Sequence, residues 1–120
     1  MDCRDIDAAV ARLRGNIHNV EVSSSKTFSQ MSNCDVFLKC ENRQKTGSFK
    51  IRGAFNKLAK MKEQGTVTKV IASSAGNHAQ GVSYASRLLG MEAIIVMPKT
   101  TPIAKVSATK GYGAKVVLAG

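Results

Sequence analysis

Tryptophan is absent from this chain, proline occurs twice, and aromatic side chains make up only 5% of the residues. With so few rings and no regular spacing between them, the stacking platforms of RNA-binding modules find no counterpart. Cysteine is scarce too. The three thiols, Cys3, Cys34 and Cys40, are odd in number and contain no C-x-x-C pair, which argues against a disulfide framework or a zinc site. No apolar run approaches the roughly 18 residues that a membrane span requires. The opening residues mix charge with Ala and Val and lack the apolar centre of a secretion signal. These absences predict a cytoplasmic protein with no membrane partner.

Negative charge is also thin: 18 Lys and Arg face 8 Asp and Glu, a formal net charge of +10. That balance suits anionic partners. The basic residues are scattered and not gathered into one patch, so a surface attractive to small anions is expected in preference to nucleic acid. A hydrophobic share of 43% over 120 residues describes one globular domain or a piece of a larger protein, not a disordered tail.

Apolar periodicity organises the rest. Ile6, Ala9, Val10 and Leu13 recur at helical spacing and predict a short first helix. Residues 15–33 are polar and Ser-rich with little period, and read as a surface loop. Val36-Phe37-Leu38-Lys39-Cys40 reads as a strand. Ile51, Ala54, Phe55, Leu58 and Ala59 form one apolar stripe on a helix that Thr46 or Ser48 would cap and Gly65 would stop. A regular alternation follows: a strand at 69–72, a helix at 81–89 ended by Gly90, a strand at 93–97, a helix opened by Pro102 with Thr101 as cap, and a strand at 114–118. Strand, helix, strand, helix, strand implies an α/β fold with a parallel sheet. The nearly continuous apolar strands suit a sheet covered on both faces. The last strand stands at the end of the sequence, which reads as an apparently truncated domain.

Ligands of open parallel sheets bind beyond the carboxyl ends of the strands. There the chain places Ser73-Ser74-Ala75-Gly76-Asn77-His78, small and amide-rich residues before a helix, suited to a carboxylate or phosphate. An ordinary strand-to-helix turn would use the same residues, and spacing alone leaves both readings open. The second loop is Thr46-Gly47-Ser48-Phe49-Lys50. A lysine at a helix start meets an unfavourable dipole, and covalent chemistry on carbonyl groups needs a neutral amine. A solvated surface lysine would look the same in isolation.

Together these loops have a parallel. Ser48-Phe49-Lys50-Ile51-Arg52-Gly53-Ala54 and Ser74-Ala75-Gly76-Asn77-His78-Ala79-Gln80-Gly81 resemble the signature stretches of the threonine/serine dehydratases. These are pyridoxal-phosphate enzymes of fold type II, the tryptophan-synthase-β-like architecture. The likeness continues through Val96-Met97-Pro98 and Lys110-Gly111-Tyr112-Gly113-Ala114-Lys115-Val116, and is greatest to the catabolic threonine dehydratases.

The resemblance implies pyridoxal 5'-phosphate as cofactor, an amino-acid substrate and a homo-oligomer. It implies that residues 1–41 belong to a large domain, and that residues 42–120 hold the cofactor-lysine helix and a small β-α-β-α-β domain. Lys50 corresponds to the lysine that holds the cofactor, Phe49 to the aromatic residue beside its ring, and Asn77 to the asparagine that bonds its 3'-oxygen. Ser74, Ala75, Gly76, Asn77 and His78 correspond to the loop that grips the substrate carboxylate. Lys45, Thr46, Gln80, Gly111 and Tyr112 match positions that contact AMP in the catabolic enzymes, although Gly111 replaces an acidic residue found in some members. Asn19-Val20-Glu21-Val22 departs from the family's Thr-Pro-Leu. The Gly-rich loop for the cofactor phosphate and the residue facing the pyridine nitrogen belong to later parts of the family's chain. The implied reaction is β-elimination from threonine or serine. Two alternatives stand beside it: a serine racemase of the same fold, and a non-catalytic, basic anion-binding fragment.

Overall fold

The computed structural model describes residues 2–65 and 67–120. Helix α1 (Cys3–Leu13) starts in a capping box: the Asp2 carboxylate accepts from the Arg4 and Asp5 amides, and the Asp2 amide donates to the Asp5 carboxylate. This satisfies donors that a helix start otherwise leaves open. Strand β1 (Val22–Ser24), helix α2 (Lys26–Ser32) and strand β2 (Phe37–Lys39) follow. Next come 3₁₀ turns at Glu41–Arg43 and Lys45–Gly47. The remainder alternates as α3 (Lys50–Glu63), β3 (Lys69–Ser73), α4 (Asn77–Leu89), β4 (Glu92–Pro98), α5 (Ile103–Gly111) and β5 (Lys115–Ala119).

β3, β4 and β5 form a parallel sheet in chain order, with Ile71 opposite Ile94 and Val96 opposite Val117. That is the β-α-β-α-β architecture the periodicity predicted. The core lies between this sheet and α3 and α4. Ile51, Phe55 and Leu58 of α3 meet Ala79, Val82 and Ala85 of α4 over Ala93, Ile95 and Met97 of β4. Ile51 and Ile95 are fully buried, and burial of each such side chain contributes about 1.5–3 kcal/mol.

Several boundaries differ from expectation. The segment read as loop contains β1 and α2. β1 pairs antiparallel with β2, and the Ser25 hydroxyl caps α2. All of β1 is exposed and α2 has no buried residue, so burial left no periodic trace there, whereas the strand expected at 36–40 is present as β2. α4 begins at Asn77, four residues before the predicted start, because Gly76 occupies the cap position without any side-chain bond. Thr46, Ser48 and Thr101 do not cap helices. Phe49 and Pro102 stand at those cap positions, and the three hydroxyls are buried without partners.

The sheet is covered on one face only. Val70, Ala72, Ala93, Ile95, Met97 and Val116 face the helices, while Ile71 and Val117 on the opposite face are 69% and 39% exposed. Right-handed crossovers between strands laid down in chain order put successive helices on one side. Among the described residues, no helix is long and apolar enough to cross a membrane.

α3 and α4 touch most closely at Gly81. A β-carbon there would sit 3.2 Å from the carbonyl carbon of Lys50 and 3.2 Å from the amide nitrogen of Ile51. Gly53, in the interior of α3, has open space around it. Alanine is therefore expected to act oppositely at the two glycines. Gly53→Ala should stabilise by about 0.5–1 kcal/mol through helix propensity. Gly81→Ala should lose that gain and destabilise by about 1 kcal/mol, because backbone must move. Urea midpoints of the two variants against the parent check both signs.

Candidate active site

Two loops lead into the paired helices α3 and α4. At the carboxyl end of β3, the Ser74 amide donates to Val96 O at 3.1 Å, and the Gly76 amide donates to Ser74 Oγ at 3.3 Å. The turn leads directly into α4. Ala75 and Gly76 are half-buried, whereas Asn77 and His78 are exposed in the first helical turn. No side chain caps that turn, so its amides and the positive end of the helix dipole are offered to an anion. His78 borders a groove with Gly53, Ala54 and Lys57 of α3 and Ile71 of β3.

The second loop is built under strain. Gln44 caps the turn at Lys45–Gly47, and Thr46 within it takes φ 65°. A β-branched residue in the left-handed region costs about 1–2 kcal/mol. The chain then enters α3 at Lys50, whose backbone lies against Gly81. Asn77 sits one helical turn before Gly81 on the same face of α4. The close approach thus sets the start of α3 against α4 one turn beyond Asn77. Lys50 is exposed, and its Nζ lies 4.8 Å from the centroid of the Phe49 ring, itself 56% exposed. Among the described residues no carboxylate pairs with this amine, and no hydrogen bond joins it to residues 74–78.

The start of α3 is braced from below. Arg52 Nε and Nη2 donate to the two carboxylate oxygens of Glu41 at 2.9 and 2.7 Å. This half-buried pair joins the first 3₁₀ turn to the first turn of α3. Its guanidinium hydrogen bonds hold the Glu41 carboxyl below its ordinary value of 4.5.

On the far side of α4 lies a ring cluster. Tyr84 and Tyr112 meet edge to face at 5.6 Å, and Lys45 Nζ and the Arg87 guanidinium lie 5.6 and 5.1 Å from the Tyr84 centroid. Lys45 and Tyr112, singled out from sequence, are thus brought together. Gln80 is half-buried on α4, whereas Gly111 ends α5 and is exposed. Tyr84 and Arg87 were missed in sequence. Their spacing, three residues apart on one helix, was the available signal.

Over residues 13–120 the sequence matches the family described as pyridoxal-phosphate dependent enzyme. The chain belongs to this family. It is 50% identical to the catabolic L-threonine dehydratase of Escherichia coli over 97% of its own length and 35% of that protein. A crystal structure of threonine deaminase superposes with a TM-score of 0.85 at 38% identity, over all of this chain and 37% of that one. Maize serine racemase gives 0.89 at 38% identity, over 98% and 36%. The chain therefore spans about a third of the length of the relatives it matches. The parallel α/β architecture and the pyridoxal-phosphate cofactor are those of the family.

The residues present suit that cofactor. Its aldehyde requires a primary amine that is open to approach and unclaimed by a carboxylate, and Lys50 is such an amine.

The Glu41–Arg52 brace has a pH signature. A carboxyl held below its usual value stabilises the fold above about pH 4.5, and that contribution is lost as acid carries the pH through the lowered value. For a half-exposed pair it is worth about 1 kcal/mol. Glu41→Gln is expected to lower stability by that amount at pH 7 and to converge on the parent once acid has carried the pH below the lowered value. Urea midpoints at the two pH values check this.

Proposed function

We propose that this chain carries the cofactor lysine and the carboxylate loop of an L-threonine/L-serine dehydratase, a threonine ammonia-lyase. The observation that supports this reading is the approach of α3 to α4 at Gly81, which sets the Lys50 backbone against the helix that Asn77 opens. Lys50 would hold the cofactor, with Phe49 beside the ring and Asn77 bonding its 3'-oxygen. Bound there, pyridoxal phosphate supplies the sink for the electron pair left at Cα.

The remaining roles fall to the chain's own groups. Ser74, Ala75, Gly76, Asn77 and His78 orient the substrate carboxylate through the loop and its uncapped amides. The Lys50 amine would remove the Cα proton as general base, and the β-hydroxyl, taking up one proton, would leave as water. Hydrolysis of the enamine consumes water and yields 2-oxobutanoate from threonine, or pyruvate from serine, with ammonia.

Racemisation is the second reading, favoured by the likeness to maize serine racemase. It requires an acid on the opposite face of the carbanion, where the resembling racemases place a serine and this chain has Ala75. A methyl group holds no proton, so elimination is preferred. The division into residues 1–41 and 42–120 is likewise proposed. It is supported by the separate β1–β2 and β3–β5 sheets. Cytoplasmic residence and a homo-oligomeric full-length protein complete the proposal.

AMP is proposed as an effector at the ring cluster, contacted by Lys45, Thr46, Gln80, Gly111 and Tyr112. The grouping of Lys45 and Arg87 about the Tyr84–Tyr112 pair supports this, since cations and ring faces suit a nucleoside phosphate.

Both proposals are open to direct test. Incubation with pyridoxal phosphate followed by borohydride is expected to fix the cofactor on Lys50 in preference to the other lysines, and Lys50→Arg should abolish that adduct. Peptide mapping reads the site, and equal labelling of all lysines would overturn the assignment. The two tyrosines of the cluster are the only ones in a chain without tryptophan, so intrinsic fluorescence reports on it alone. AMP should change that fluorescence saturably, and Lys45→Ala should weaken the response about tenfold. An unchanged spectrum would remove the effector.

A further inference from the structure

Gln44 is 4% exposed and belongs to neither proposed ligand site. Its carboxamide faces the backbone of His18. Oε1 accepts from the His18 amide at 2.8 Å, and Nε2 donates to His18 O at 2.8 Å. This is the two-bond ring that a neighbouring strand would make. The same Oε1 accepts from the Lys45 amide at 2.9 Å, while the Gly47 amide donates to Gln44 O at 2.9 Å. One buried residue therefore anchors both ends of the turn that holds Thr46 in its left-handed conformation. Two further bonds tie the same segments, Lys45 Nζ to Asn16 O at 3.1 Å and His18 Nδ1 to Arg43 O at 3.2 Å.

Thr46 does not hold itself. Its hydroxyl is buried without a partner, so no local side-chain bond offsets the strain at φ 65°. Strain of this kind persists only when surrounding structure over-determines it. On the downstream side Ser48 is buried, and the Lys50 backbone rests on Gly81. On the upstream side the restraint is Gln44.

We infer that Gln44 is a positioning residue for Lys50: its clamp on His18 and Lys45 keeps the Thr46 turn strained, and the strained turn aims the chain into α3 so that the lysine amine is presented. The inference rests on Lys50 being the cofactor lysine. A second, simpler role would be to staple residues 16–20 to the body of the protein. That role would lower stability without changing the reactivity of Lys50.

The test measures pyridoxal phosphate fixed by borohydride at Lys50 relative to Lys57 and Lys110 in the same sample, well below the melting temperature of every variant. Gln44→Met keeps the side-chain length and removes all three carboxamide bonds. It is expected to lower the Lys50 ratio at least fivefold. Adding Thr46→Gly, which adopts a left-handed turn without strain, should recover at least half of that loss. Hydrogen exchange at the Gly47 amide should rise about tenfold in Gln44→Met and fall again in the double variant. Should Gln44→Met not fold, Gln44→Glu keeps the acceptor but replaces the donor to His18 O with a carboxylate oxygen that repels it, with an expected loss above twofold. A parent-like ratio in the folded Gln44 variant, or a loss that Thr46→Gly does not relieve, overturns the inference. If the parent itself shows no preference for Lys50, the cofactor-lysine reading fails instead, and exchange at Gly47 still decides the clamp.

Discussion

At Gly81 the backbone of α4 lies directly against that of α3, with no room for a side chain. Most helix pairs are kept apart by the side chains at their contact. Here a single hydrogen replaces a side chain, and α4 settles onto the first turn of α3 at Lys50 and Ile51. The apolar contact of Ile51, Phe55 and Leu58 with Ala79, Val82 and Ala85 extends from that point. The same contact fixes where residue 50, which opens one helix, stands relative to the other helix, opened by residue 77.

The site itself is made of unlike parts. The Asn77 side has small residues, a helix end without a cap and half-buried backbone. It needs little beyond secondary structure to offer donors. The Lys50 side is held by specific bonds: Glu41 to Arg52, Gln44 to His18, and a threonine kept where threonine seldom goes. Residues that face solvent are thus supported by a scaffold of buried or half-buried polar groups. Buried polar groups are costly when unpaired, which ties the shape of this turn closely to its partners.

Much of the architecture was legible in the residues alone. Ile51, Ala54, Phe55 and Leu58 declared α3 because a helix buried along one side repeats its apolar residues at three and four. β4 and β5 declared themselves as short apolar runs between turn residues. The segment 22–32 stayed hidden for a physical reason: β1 and α2 bury no residue, and the partner of β1 is distant in sequence. The cap assignments failed because Thr46, Ser48 and Thr101 are buried, and a buried hydroxyl at a helix start looks in sequence like a capping one. Of the candidate site, Lys50 and residues 74–78 were singled out from paired motifs that resemble those of a known family. Gln44, Tyr84 and Arg87 were not, since their importance lies in partners that only the folded chain supplies. The expectation of a sheet sheltered on both sides took the apolar character of the strands as proof of cover, whereas cover depends on where the crossovers lie.

That bare side of the sheet bears on how the chain behaves in solution. Ile71 and Val117 stand exposed on it, with Ile94 and Val96 half-buried between them. A surface of this kind attracts its own copies. What opposes it is the surplus of ten positive charges, which acts over about 8 Å at physiological ionic strength and about 3 Å in molar salt. Colloidal stability of this chain is consequently a contest between short-range apolar attraction and a repulsion whose reach the ionic medium sets, and concentrated salt tips it toward aggregation.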